Sequence, residues 1–251
     1  MLKSLVAFVF AKTTPLRKFL SIRFPDMSFR LRSIYAFFLG YPTSHQYRLR
    51  EIAFSTQSQA LQDVFARLVA SWTGVRTYLE IGAGHFELGS NTYVLEKQGW
   101  KGVSIEIDPE LVASFRANRK NEILQMDALA LDYTNLGRDF NSHQIGYLQV
   151  DIDPAPQSLA VLKSLPLQDL RFAGITFEHD SYAVGNRVRN ESRRFLRGKG
   201  YVLVRGDVTW SPGSAFEDWW VDPDQIGKEG VRALRSKLFG VWRPNVGPFG
   251  L

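Results

Sequence analysis

The sequence predicts an α/β fold: an open, mostly parallel sheet with helices on both faces, preceded by a helical extension. Three observations predict it. Short apolar runs alternate with helix-length amphipathic segments between about residues 55 and 222, the pattern of strand–helix–strand crossovers. Several of the apolar runs end in acids. The first runs straight into Gly82-Ala83-Gly84, a tight turn at the sheet edge where open α/β folds hold their ligands.

The elements follow in order. A helical pattern from Ser55 to about Trp72 places Leu61, Val64, Phe65, Leu68 and Val69 on one face, and Thr73-Gly74 stops it. Strand one covers about Arg76–Ile81. Ser90 is the expected N-cap of a helix through Gln98, which Gly99 ends. Strand two is Gly102–Ile107, and Pro109 opens a helix to about Asn118. Strand three lies near Glu122–Met126, and residues 128–143 form a polar crossover. Strand four is Ile145–Val150, with a helix from about Pro156 to Leu165. Strand five is Phe172–Phe177, followed by a helix over about Asn186–Leu196. Tyr201–Val204 and Phe216–Val221 are the last strands. The tail W-R-P-N-V-G-P-F-G-L holds too much proline and glycine for regular structure.

Composition narrows the class. The 251 residues suit one sizeable domain, residues 55–251, plus an extension over residues 1–54. There is no cysteine, which excludes disulfides, thiolate metal sites and cysteine nucleophiles and fits a reducing, cytoplasmic compartment. The net charge is +6, yet residues 1–50 hold nine Lys or Arg and one acid. The main domain is therefore close to neutral, and no extensive nucleic-acid surface is expected on it. The basic excess lies in an aromatic-rich N-terminal segment, F-L-S-I-R-F and S-F-R-L-R-S-I-Y-A-F-F-L. That segment reads as a helical cap on the domain, with peripheral contact to an anionic membrane or glycolipid as the sharper alternative. Its apolar runs, Leu5–Ala11 and Ile34–Leu39, fall far short of the ~20 residues of a spanning helix.

The glycine turn and the strand-end acids carry the chemistry. A dinucleotide fingerprint G-x-G-x-x-G would need glycine at position 87, where Glu87 stands. The spacing therefore favours a ligand without a pyrophosphate, such as S-adenosylmethionine. The backbone of Gly82, Ala83 and Gly84 can hold its carboxylate, and Glu80 can face its ammonium and sulfonium. Asn91, with Thr92, contacts the cofactor or starts the helix. Glu106 at the end of strand two is placed to accept from the ribose hydroxyls, with Asp108 as the alternative. Asp127, beside Ala128, can accept from the adenine amino group.

A second constellation is Asp151-x-Asp153 with Glu178-His179-Asp180, at the ends of strands four and five. Methylating an alcohol requires removing a weakly acidic proton, by a base or with a cation that lowers the hydroxyl's pKa. Asp153 is the first candidate base and His179 the second. Asp151, Asp180 and Glu178 could hold an oxygen-preferring cation such as Mg2+. The plain structural alternative is a set of helix caps and ion pairs, since Asp153 precedes Pro154 and is well placed to cap. Trp210 and Trp219-Trp220 read as packing residues.

In their order these residues resemble the FkbM family of S-adenosylmethionine-dependent methyltransferases. The likeness runs through Ser58-Gln59 with Gln62-Asp63, E-I-G-A-G, Ser90-Asn91-Thr92, Gly99-Trp100 with Gly102, I-E-I-D-P, Val150-Asp151-Ile152-Asp153 and Phe177-Glu178-His179, over about residues 55–222. The chain departs from the family at Val150, where the family has lysine, and at Asp153-Pro154, where it has E-G. The resemblance implies a class I methyltransferase, Rossmann-like, with seven strands, the last reversed. It also implies O-methylation of a sugar or glycosylated small molecule. Two other readings remain: an amino-group methyltransferase acting on nucleic acid or protein, and a non-catalytic module docking on a membrane or partner.

Overall fold

A computed structural model describes residues 56–135, 140, 144–209 and 214–235. The expectations for residues 1–55, Trp210 and the tail lie outside the described residues. The helices and strands are α1 (Gln62–Thr73), β1 (Thr77–Ile81), α2 (Tyr93–Lys97), β2 (Lys101–Glu106), α3 (Pro109–Asn118), β3 (Glu122–Gln125), β4 (Gln144–Val150), α4 (Ala155–Ser164), β5 (Arg171–Glu178), α5 (Ser181–Val184), α6 (Asn186–Gly198), β6 (Val202–Thr209), β7 (Ala215–Val221) and α7 (Pro223–Arg235).

The strands form one sheet in the order β3-β2-β1-β4-β5-β7-β6. Neighbours from β3 to β5 run parallel, and β7 runs antiparallel to both β5 and β6. This is the expected class I methyltransferase architecture, seven strands with the last reversed. The strand order turns back between β1 and β4, the point beyond whose carboxyl ends open α/β sheets form their ligand crevice.

Sequence and burial explain the layering. Both faces of the central strands are covered, so they read as apolar runs rather than alternating ones. Phe172, Ala173, Ile175, Thr176 and Phe177 of β5 are all fully buried. One face is covered by α1 and α7 through Phe65, Val69, Ile226 and Leu234. The other is covered by α4 and α6 through Leu159, Leu162, Val188 and Leu196. In α6, Val188, Ser192 and Leu196 recur every fourth residue and form its buried stripe. Asp108 caps α3 by accepting from the N–H groups of Glu110 and Leu111, with Pro109 in the first turn.

Four elements differ from the sequence reading, among them α5, for which the sequence suggests no helix, and β6, which runs to Thr209 rather than Val204. The helical pattern from Ser55 begins as a helix only at Gln62; before it, the Asp63 carboxylate collects the Thr56 and Ser58 hydroxyls and the Gln57 N–H. The chain after β7, for which the sequence suggests no helix, forms α7, interrupted at Gly227, whose φ is 69°.

Candidate active site

Gly82 forms the closest approach in the site. Its φ is 83°, and a Cβ there would lie 1.7 Å from the Asp151 carbonyl oxygen. Only glycine lets the end of β1 lie against the end of β4 in this way. The N–H groups of Gly82 and Ala83 both donate to the Ile105 carbonyl, and the Asp151 N–H donates to Ile81. Gly84, with φ 60°, has open space where a Cβ would stand.

Glu106 braces this turn. Its Oε2 accepts from the Gly84 N–H at 2.8 Å, and its Oε1 accepts from the N–H groups of Ile107 and Asp108 at 2.8 and 3.0 Å. A carboxylate offers about four acceptor positions, so one remains after these three bonds. Asp108 is occupied as the cap of α3. Between the two candidates for the ribose hydroxyls, Glu106 keeps spare capacity at the glycine turn. Asp127 is exposed, and its Oδ1 accepts from the Leu129 N–H. Ala128 is buried, and its carbonyl accepts from the Tyr133 hydroxyl. Ile107, Met126 and Leu129 expose apolar side chains around these strand ends.

Glu80 is 1% exposed. Its Oε2 accepts from the hydroxyls of Thr92 and Ser104 at 2.8 and 2.7 Å, and among the described residues Oε1 accepts nothing. Burial raises its pKa, opposed first by the charge of Arg119. Thr92 and Ser90 serve the start of α2: Ser90 Oγ accepts from the N–H groups of Thr92 and Tyr93. Asn91 is 4% exposed, and its Oδ1 has no partner. An orphaned acceptor, an open carboxylate oxygen and a bare glycine turn suit a ligand carrying an ammonium and a carboxylate, so these residues fit S-adenosylmethionine. His85 only ties its own loop, accepting at Nδ1 from the N–H groups of Glu87 and Leu88.

The second group of acids forms a row across three strands. Val150 pairs with Phe177, so Asp151 and Glu178 follow side by side, and Glu178 lies opposite Glu217 of β7. Directly opposed residues share a sheet face. Burial, then the charge of Asp151, pushes the Glu178 carboxyl up to about 12, and burial pushes Asp151 up to about 6. Both carboxyls are raised and lie within hydrogen-bonding reach of each other, so the pair favours sharing a proton over two full charges. Glu217 is 1% exposed and is held by the Trp219 indole N–H and, at 3.4 Å, by the Gln62 amide; burial pushes it up to about 8. Asp180 is hydrogen-bonded to Glu178, while its Oδ1 is buried without a partner.

Asp153 is exposed and accepts no hydrogen bond among the described residues. The N-cap of α4 is Pro154, without a side-chain cap, so the capping role open to Asp153 is not taken up. Tyr182, 49% exposed, stands near the group; slight burial and the charges of Asp180, Glu178, Asp153 and Asp151 raise its phenol.

Two of the sequence candidates are placed differently from the rest of the group. His179 is fully buried, 3.5 Å from Asp218 Oδ1 through Nε2, and its Nδ1 accepts from the Ser181 N–H. Asp218 lies opposite Phe177, on the face away from the Glu178–Glu217 row. His179 thus lies with Asp218, on the face opposite Glu178 and Glu217, as strand alternation dictates. Asp151, Glu178 and Asp180 do not bring three ligand atoms within 4.8 Å of one another. Among the described residues His179, Asp207 and Asp218 do so. There Arg193 clasps Asp218 with two bonds of 2.7 Å, and Arg189 and Arg193 reach Asp207. Guanidinium groups already balance that cluster.

The sequence reading passed over Glu217, Tyr182 and Arg119. Glu217 was legible as one of two adjacent acids inside an apolar strand, F-E-D-W-W. Arg119, following α3, resembles an ordinary basic helix end.

No protein-family model matches the sequence, and a search of curated proteins gives no match. Several solved structures are similar in backbone. The SAH-bound methyltransferase PaMTH1 of Podospora anserina aligns at 12% identity with TM-score 0.49, covering 79% of this chain and 96% of its own. The O-methyltransferase of Bacillus cereus in complex with SAH aligns at 14% identity with TM-score 0.45, covering 84% and 97%. The magnesium protoporphyrin IX methyltransferase of Synechocystis PCC 6803, with bound SAM, aligns at 13% identity with TM-score 0.44, covering 83% and 94%.

Proposed function

We propose that this protein is an S-adenosylmethionine-dependent methyltransferase that O-methylates a hydroxyl of a sugar or glycosylated metabolite. One observation carries the reading. A glycine turn braced by a strand-end glutamate and a row of carboxyls, half-buried at Asp151 and Glu178 and fully buried at Glu217, meet at one sheet edge, from β1 and β2 on one side and β4, β5 and β7 on the other. The motif order shared with the FkbM family supports the same assignment.

Each part has a task in this reading. Glu106 holds the ribose, Asp127 and the Ala128 backbone the adenine, and Glu80 with Asn91 the amino-acid end. S-adenosylmethionine, when bound, supplies a methyl group on a positively charged sulfur. The carboxylates around Asp151 make the crevice favourable for that charge. Asp153 receives the proton of the acceptor hydroxyl, and its carboxylate is unencumbered for this. The Glu178–Asp151 pair offers carboxyl oxygens that accept from acceptor hydroxyls, which suits a polyhydroxylated ligand. Tyr182 offers an aromatic face beside these acids for a sugar ring. The rate advantage comes chiefly from holding acceptor and donor in line.

The test is transfer of isotopically labelled methyl from S-adenosylmethionine to a panel of sugars and glycosides, with and without EDTA. Alkali-stable label on a sugar acceptor, lost in Asp153→Asn, is the expected result. Label appearing on amine acceptors alone would replace this reading with amino-group methylation. Loss of transfer in EDTA would bring a cation into it.

A further inference from the structure

Arg119 is 6% exposed and makes contacts far beyond its own helix. Its Nε donates to Glu96 Oε2 at 2.7 Å. Nη1 donates to the Phe86 carbonyl at 3.0 Å and to Ser90 Oγ at 3.4 Å. Nη2 donates to Thr92 Oγ1 at 3.0 Å and to the Tyr78 hydroxyl at 3.2 Å. The guanidinium centre lies 4.4 Å from the centroid of the Phe115 ring. One buried cation therefore ties the loop of residues 86–92 to β1 and α3.

The contact with Thr92 reaches the site. The Thr92 hydroxyl accepts from Arg119 and donates to Glu80 Oε2 at 2.8 Å, where Ser104 donates as well. Both donors engage the same oxygen of Glu80, leaving Oε1. A hydroxyl that accepts from a cation has its proton committed to the opposite side, which fixes the rotamer of the carboxylate it serves. Glu96 alone would balance the charge of Arg119. The additional bonds to Phe86, Ser90 and Thr92 all go to the segment that carries Asn91.

We propose that Arg119 is the positioning residue of the cofactor site. It holds the 86–92 loop against the sheet and, through Thr92, presents Glu80 Oε1 and Asn91 Oδ1 together to the ammonium of the bound ligand. The inference rests on the cofactor reading above but concerns a residue that never touches the ligand.

The experiment is calorimetric titration of the full chain with S-adenosylhomocysteine, together with amide hydrogen exchange on the ligand-free protein. The variants are Arg119→Gln, Thr92→Val, Glu80→Gln and the Arg119→Gln/Glu80→Gln double. Losing a buried, charge-assisted hydrogen bond corresponds to about 10–100-fold in affinity, so Arg119→Gln and Glu80→Gln should each weaken Kd by that order. The double variant should bind no more than about threefold more weakly than Glu80→Gln, because both changes act through one contact. Steady-state kinetics should show KM for S-adenosylmethionine raised in Arg119→Gln with kcat little changed. Exchange at residues 86–92 should accelerate while β4 and β5 stay protected. Thr92→Val cuts only the relay and carries the same test if Arg119→Gln does not fold. Independent losses that multiply in the double variant, or an unaltered Kd in a folded Arg119→Gln, would overturn the proposal. Unchanged loop exchange with normal wild-type binding defeats the role of Arg119 alone; a wild-type protein that binds no S-adenosylhomocysteine defeats it together with the cofactor reading.

Discussion

At the scale of single residues, Gly82 and Tyr182 make opposite demands. Gly82 combines a positive φ with a carbonyl oxygen where a Cβ would stand. Gly82→Ala should destabilise the protein by about 3 kcal/mol or more, from overpacking added to backbone strain, read from urea denaturation. Tyr182 is 49% exposed, so Tyr182→Ala should cost no more than about 1 kcal/mol of stability. It should raise the acceptor KM several-fold without changing Kd for S-adenosylhomocysteine. An unchanged acceptor KM would remove the aromatic platform from the account. Gly82 and Glu106 were legible in the sequence because strand-end turn chemistry is local. The burial of Arg119 was not, because its partners at Tyr78, Phe86, Thr92 and Glu96 are brought together only by the fold.

At the scale of elements, the pair β5–β7 joins the site to the scaffold. Its near face bears the Glu178–Glu217 row and its far face the buried Asp218, clasped by Arg193 from α6. Burial alone would raise the Asp218 carboxyl, but the hydrogen bonds of Arg193, with His179 beside it, hold it at about 2. A carboxylate depressed in the folded state contributes stability that is present above its unfolded pKa near 3.8 and lost as pH falls toward 2. Arg193→Met leaves that charge uncompensated and should cost about 3–5 kcal/mol at neutral pH. The difference from wild type should shrink in melts taken below pH 3. Strands and helices up to α6, apart from the short α5, were legible because their apolar patterns are strong, with boundaries off by one or two residues at most ends. The helix α7 was not, since Gly227 and Gly230 weaken its propensity, and packing of Ile226 and Leu234 against α1 makes up the difference. The far-side position of His179 follows from strand alternation, a rule that the clustering of E-H-D in sequence obscures.

At the scale of the whole molecule, the carboxyl edge concentrates acids, of which Glu80 and Glu217 are the most deeply withdrawn from water, each 1% exposed. Glu217, pushed up to about 8 by burial, contributes stability that is full below its unfolded pKa near 4.5 and lost as pH rises through 8. Glu217→Gln should match wild type near pH 4 and exceed it by about 1–3 kcal/mol at pH 9. Parallel urea titrations at the two pH values check this, and equal stability at both would show Glu217 solvated. No helix among the described residues is long and apolar enough to cross a membrane. The open parallel sheet was legible from the alternation of strands and helices and the reversed last strand only through the family resemblance, whereas the joining of Glu217 to Asp151 and Glu178 depends on the reversed β7. That pairing of distant segments leaves no local trace in the chain.

The most direct measurement is calorimetric titration of the wild-type chain and Glu106→Ala with S-adenosylhomocysteine, each with its melting curve. The account predicts one molecule bound per wild-type chain. For Glu106→Ala it predicts at least about tenfold weaker binding, as one charge-assisted hydrogen bond implies, with the melt still cooperative. Absence of binding to the folded wild type, or an identical Kd in the variant, would contradict it.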